Sequence, residues 1–265
     1  MYYKLIAIDL DDSLLGSDLA ISRANKKAIR DVVAQGTIIT IATGRMLKAT
    51  LPFVEQLELD VPVITYQGAM IVHSRTKEIL YDCPVPLRYA QEIVSVAHKE
   101  KIHAQVFVDD EYYFEYSNQY SQLYYQFSHI QGKEVGFLAT FLTKVPTKVL
   151  LIDTPEKIRE MGIRMKVRFK DELEVVISKP NYLEFTHPAA TKGKAVEFLA
   201  KSLGISREQV IAIGDSYNDI SMIQYAGMGV AMGNAPDEVK AYADYITGDN
   251  NSDGVAQAIQ KLVLD

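Results

Sequence analysis

The sequence predicts an α/β protein: a doubly wound parallel-sheet core interrupted by an inserted α+β domain. Three observations carry this expectation. The length, 265 residues, suits about two domains. Short apolar runs rich in β-branched residues alternate with helix-like stretches at both ends of the chain. Between residues 84 and 188 that alternation gives way to strand pairs and aromatic-rich helix.

The elements follow in order. Residues 4–10 form the first strand, an almost continuous apolar run of the kind covered by helices on both faces. Residues 22–35 form a helix: Ser22 can cap it, Ile29, Val32 and Val33 make part of an apolar stripe, and Gly36 stops it. Residues 37–42 are the second strand, a helical stretch starts at Met46, and residues 61–66 are the third strand. Hairpin-like runs at 69–72 and 78–81 change the rhythm, and Pro84 and Pro86 punctuate it, so the first part of the core is expected to span 1–83. The insert, 84–188, reads as a helix from Leu87, a strand pair (104–108 and 112–116), an aromatic helix, a strand at 147–153, a helix from Pro155, and strands at 173–178 and 182–186. Core rhythm returns over 189–265, with helix 193–203, strand 210–213, helix 218–225, a short strand at 228–231 and a terminal helix from Ser252.

Composition narrows the function. The formal charge is −6, from 28 basic and 34 acidic residues, and no basic run is present. Nucleic-acid binding and docking on an anionic membrane are therefore not expected, and the expected partner is a small molecule. No stretch has the roughly eighteen uncharged apolar residues of a membrane helix, and Asp9 interrupts the first apolar run too early for a signal-peptide core. With Cys83 as the single cysteine, no intrachain disulfide can form, and a reducing, cytoplasmic setting is expected.

Four short segments can carry chemistry. Asp9, Asp11 and Asp12 end the first strand, where parallel sheets place ligand sites, and three acids in four positions are tolerable around a hard cation such as Mg²⁺. Extended geometry would point Asp9 and Asp11 the same way; an acidic turn is the ordinary alternative. Ala42-Thr43-Gly44-Arg45 follows the second strand and could cradle an anion with a hydroxyl and helix-start amides, or Thr43 could simply cap the helix. Gly214-Asp215-Ser216-Tyr217-Asn218-Asp219 follows another buried strand, with two acids four apart, which the helix macrodipole alone would also favour. Lys192 opens the preceding helix, where a solvated lysine would be unremarked. All four fall at strand ends or helix starts of one sheet pattern, so topology converges them on one crevice.

In these segments and their order the chain resembles the haloacid dehalogenase superfamily of phosphohydrolases, and within it the Cof-type subfamily with an α/β cap inserted between the second and third motifs. The first motif is similar in Asp9-Leu10-Asp11-Asp12-Ser13-Leu14, and the others match at 42–45, Lys192-Gly193 and 214–219. The ending, Met232-Gly233-Asn234-Ala235 and Asn251 with Asp253-Gly254-Val255, is similar too. Gln67-Gly68-Ala69 departs from the subfamily's common Asn-Gly-Ala, and the longer amide would crowd the cleft; Asp12 stands where the wider superfamily often has glycine.

The resemblance implies a Rossmann-like core, a cap that selects substrate, and Mg²⁺-dependent hydrolysis of small phosphomonoesters, sugar phosphates foremost. It implies Asp9 as nucleophile forming an aspartyl-phosphate, Asp11 as acid and base, and Mg²⁺ held by Asp9, the Asp11 carbonyl, Asp215 and Asp219. Leu10, Thr43, Gly44, Lys192 and Asn218 would bind the phosphoryl oxygens, with Arg45 a weaker candidate, and segments 83–86 and 187–190 would be hinges. A phosphosugar mutase, or a non-catalytic regulator that is a sugar-phosphate sensor or a phospho-acceptor, is the alternative. Other phosphatase chemistries fit badly: Tyr89 stands where a Cys83-based Cys-x5-Arg motif needs arginine, and the five histidines lie outside the acidic segments. The tyrosines from Tyr112 to Tyr125, among them Tyr116, Tyr120 and Tyr124 at helical spacing with Phe127, suit a helix packed on the insert's sheet rather than a sugar-stacking surface.

Overall fold

The computed structural model describes residues 2–265, in two compact units: residues up to Tyr81 together with Thr191–Asp265, and Asp82–Ala190. In chain order the first unit begins with β1 (Leu5–Ile8), α1 (Arg23–Ala34), β2 (Ile38–Ile41), α2 (Leu47–Gln56), β3 (Pro62–Thr65), β4 (Met70–His73) and β5 (Ile79–Asp82). The second contains α3 (Leu87–Glu100), β6 (His103–Val108), β7 (Glu111–Phe114), α4 (Gln119–Ser128), β8 (Lys133–Glu134), α5 (Leu138–Phe141), β9 (Lys148–Ile152), α6 (Pro155–Arg168), β10 (Glu174–Lys179) and β11 (Tyr182–Thr186). The first resumes with α7 (Lys192–Ser202), β12 (Val210–Gly214), α8 (Ile220–Tyr225), β13 (Met228–Ala231), α9 (Asp237–Lys240), β14 (Tyr245–Ile246) and α10 (Gly254–Ile259).

The first unit is built on a parallel sheet in the order β14-β13-β12-β1-β2, with β3 joined to β2 through a bridge from Ala42 to Ile64. Every residue of β1 is buried. Alternation sends Ile6 and Ile8 into one apolar layer with Ile29 and Val32 of α1 and Ala258 of α10. Leu5 and Ala7 enter the other, with Val196 and Leu199 of α7 and Met222 of α8. The chain winds outward one way from β1 to β2 and the other way from β12 to β14, so the strand order reverses between β1 and β12, where such sheets leave a crevice at their carboxyl ends. Ser22 caps α1 by accepting the Asn25 N–H at 3.0 Å, and Gly36 ends it at φ 94°. Val33 is not part of the stripe: one step of 100° beyond Val32 leaves it 39% exposed.

The second unit has a six-stranded sheet, β10-β11-β9-β6-β7-β8, antiparallel except where β8 joins β7. One face, with Ala104, Val106 and Val108 of β6, packs on Ile93 and Val94 of α3 and Ile158 and Met161 of α6. The other carries α4, whose Tyr124 ring lies 5.0 Å from Tyr112, 5.9 Å from Phe107 and 6.3 Å from Tyr182. Tyr124 thus packs on the sheet, while Tyr116 is exposed. The short elements β8, α5, α9 and β14 were not foreseen, being too brief for a periodicity to show. No helix among the described residues is long and apolar enough to cross a membrane.

On the α4 face His103 is buried beside Gln105, and burial lowers its imidazole to about 4. The unfolded chain takes up this proton near 6.5 and the folded one only near 4, so stability is intact above 6.5 and falls as the pH drops through that window. Between pH 7.5 and pH 5 the change in urea-unfolding stability should be about 2 kcal/mol less favourable in the wild type than in His103→Leu, the acidic cluster contributing equally to both; equal pH dependence in both proteins would show that His103 does not carry it.

Candidate active site

Asp9 leaves the carboxyl end of β1, its N–H donating to the Ile213 carbonyl of β12 at 2.9 Å. That bond ties the two strand ends at the point where the sheet order reverses. Lys192 opens α7 behind its N-cap Thr191, whose side chain accepts the Lys194 N–H at 3.2 Å. The Lys192 ammonium is wholly buried and donates to Asp9 Oδ1 at 2.5 Å and Asp219 Oδ1 at 2.6 Å. Asp219 closes a 3₁₀ turn, Tyr217–Asp219, after β12. Its second oxygen accepts the N–H groups of Asp215 at 3.0 Å and Ser216 at 2.9 Å. Asp215 accepts the Ser13 hydroxyl at 3.0 Å.

Asp9, Asp215 and Asp219 each place an oxygen within 4.8 Å of the others. One ammonium faces three acids, and the energetics show the imbalance. Burial, and then Asp219, raise the Asp9 carboxyl well above the usual range, although Lys192 pulls it down. Burial and Asp219 push Asp215 up to about 6. Burial favours the neutral amine of Lys192, but Asp219 and Asp9 outweigh it and hold the ammonium charged. An all-oxygen set short of positive charge fits a hard divalent cation such as Mg²⁺. Asp219 already accepts three hydrogen bonds, which suits it to orienting the others rather than to direct ligation.

Asp11 stands apart from this cluster. Arg45 clamps its carboxylate with two bonds, Nε to Oδ2 at 2.8 Å and Nη2 to Oδ1 at 2.5 Å, and its guanidinium lies 5.4 Å from the Phe53 ring centre. Just beyond, the chain turns sharply at Asp12, φ 58°. Thr43 is fully buried and does not cap α2: its Oγ1 accepts the Arg45 N–H at 3.1 Å, and the N-cap of α2 is Met46, which makes no side-chain cap. Gly44 lies in the same loop. Leu10 buries its side chain completely and so can offer a ligand only its backbone amide. Asn218, on the 3₁₀ turn, donates to Gln67 Oε1 at 2.8 Å.

The structure therefore brings Asp9, Lys192, Asp215 and Asp219 into direct contact, links Asp11 to the Thr43–Arg45 loop through Arg45, and links Asn218 to Gln67. The pairings of Ser13 with Asp215 and of Arg45 with Asp11 are not visible in the sequence, since no local pattern marks partners 202 and 34 residues apart.

Comparison with known proteins follows the same lines. The family model of haloacid dehalogenase-like hydrolases matches residues 6–259. The 5-amino-6-(5-phospho-D-ribitylamino)uracil phosphatase YcsE of Bacillus subtilis is 32% identical over 98% of this chain and 96% of its own. The pyridoxal phosphate phosphatase YbhA of Escherichia coli is 30% identical over the full length of both. Among solved structures, a subclass IIB sugar phosphatase of the same superfamily superposes with a TM-score of 0.84 at 26% identity, over 99% of this chain and 100% of its own.

Removing the acceptor shared by Lys192, Asp215 and Ser216 would leave three donors without it, the Lys192 ammonium among them fully buried. Asp219→Ala should cost about 3 kcal/mol or more, read as a Tm lower by roughly 10 °C; an unchanged Tm would show that the site relaxes around the loss.

Proposed function

Since the chain belongs to the haloacid dehalogenase-like hydrolases and is a hydrolase of phosphoric monoester bonds, we propose that it uses Asp9 and Mg²⁺ to hydrolyse small phosphomonoesters, sugar phosphates foremost. The observation that carries this reading is the buried Asp9 carboxylate, fixed on one oxygen by Lys192 and set beside Asp215 and Asp219. The relatives support the substrate class: by name, one is a phosphatase of a ribityl phosphate, one of pyridoxal phosphate and one of sugars.

Lys192 engages Asp9 Oδ1, leaving Oδ2 as the attacking atom. Attack on phosphorus forms an aspartyl-phosphate while the ester oxygen departs with a proton from Asp11; a water then attacks phosphorus, giving its proton to Asp11 and freeing Asp9 and phosphate. Arg45 fixes the plane of the Asp11 carboxylate as it receives that proton. The Leu10 and Gly44 amides, the Thr43 hydroxyl, the Asn218 amide and the Lys192 ammonium bind the phosphoryl oxygens and favour the charge that builds in the transition state. Asp9, Asp215 and the Asp11 carbonyl would hold Mg²⁺, with Asp219 orienting them, and the ion would supply positive charge that eases the approach of a carboxylate to a phosphate dianion. Choice among esters is assigned to the inserted cap, residues 84–188, which holds none of these groups.

Phosphate release from a panel of phosphomonoesters tests the reading directly. Turnover should require Mg²⁺, stop with EDTA and fall by roughly 1,000-fold or more in Asp9→Asn; interconversion of hexose phosphates without release would replace it with a mutase. Arg45→Lys exchanges a two-bond clamp for a single point charge, and kcat should fall roughly tenfold with KM little changed; wild-type kcat would remove Arg45 from the mechanism.

A further inference from the structure

Tyr66, Gln67 and Gly68, which follow β3, all have positive φ, at 52°, 63° and 97°. Three consecutive left-handed residues make a tight turn, and contacts with two other segments hold it. The Tyr66 N–H donates to the Arg45 carbonyl and the Gln67 N–H to the Thr43 carbonyl, both at 3.0 Å. At Gly68 a Cβ would collide with the Thr191 carbonyl, the residue before Lys192. The turn thus bridges the Thr43–Arg45 loop and the start of α7.

The backbone bonds explain the turn but not the residue at its centre. Glycine or asparagine adopts φ 63° far more readily than glutamine, and strain retained beside a functional site points to a use for the side chain. The Gln67 side chain supplies one. Its Oε1 accepts Asn218 Nδ2 at 2.8 Å, across 151 residues, and its carboxamide covers Gly44 so closely that any side chain there would strike it. Asparagine would be one methylene too short to reach both.

We propose that Gln67 is a positioning residue for phosphoryl binding: it aims the Asn218 carboxamide and forms the wall of the cradle above Gly44. The inference rests on the reaction proposed above. With one Asn218 proton committed to Gln67, the carboxamide has a fixed plane and its second proton points in a set direction; without Gln67 it rotates freely.

Gln67→Gly and Gln67→Asn both ease the left-handed backbone, so each should keep or raise Tm. A merely structural Gln67 would then leave activity intact. We expect kcat for phosphate release to fall at least fivefold in both, with KM within twofold, and Asn218→Ala to cost little more in the Gln67→Gly background than that change alone. Wild-type kcat in Gln67→Gly, or fully additive losses, would overturn the proposal. A second readout does not depend on turnover: the Asn218 side-chain NH₂ resonances of the full-length protein should shift and merge towards free rotation in Gln67→Gly. If the wild type releases no phosphate, the reaction is wrong, and loss of that ordering together with weaker binding of inorganic phosphate still supports the positioning role. Unchanged Asn218 resonances would overturn it in either case.

Discussion

The buried ammonium of Lys192 governs the parallel-sheet unit of this protein. Lys192 is closed off from solvent and shared by Asp9 and Asp219, in a place where a lone charge of either sign would be prohibitively costly. It fixes which oxygen of Asp9 is engaged, and it draws α7 against the ends of β1 and β12. Because one cation cannot balance three acids, Asp9 and Asp215 are left reluctant to ionise. That residual negative charge suits a site that could take up a divalent cation, which would relieve it.

Around that pair the backbone is held in conformations that most side chains avoid. Asp12, Tyr66 and Gln67 all sit at positive φ within the segments that frame the site. Packing determines them: Tyr66 is wholly buried, and its N–H and that of Gln67 are both spent on the Thr43–Arg45 loop. Hydrogen bonds made across long stretches of chain thus hold local geometry that the local sequence would not choose, as expected where function opposes propensity.

How much of this was legible in the sequence follows from the range of each signal. The strands show as apolar runs and α1 shows its cap and stop, since these depend on neighbours along the chain. The gathering of the 9–12, 42–45, 192 and 214–219 segments was legible as well, because parallel sheets put strand ends on one edge whatever the details. What stayed hidden was partner choice. Arg45 reads as a secondary phosphate candidate until its guanidinium is seen on Asp11, and Thr43 reads equally as an anion ligand or a helix cap until its hydroxyl is seen accepting the Arg45 N–H. Gln67 reads as a misfit until Gly44 is seen beneath it. Each depends on side-chain direction across a tertiary contact, which no periodicity encodes.

The strand order has a consequence for the birth of the molecule. β1 is complete by residue 8, and β2 can pair with one of its edges soon after, but the other edge belongs to β12 at 210–214. At about 5 to 20 residues per second, a ribosome leaves that apolar edge without its partner for roughly 10 to 40 seconds. The insert's strands, by contrast, find all their partners between residues 103 and 186. The nascent chain therefore carries a half-built sheet through most of its synthesis, and its exposure to chaperones and to edge-to-edge association is concentrated in that interval.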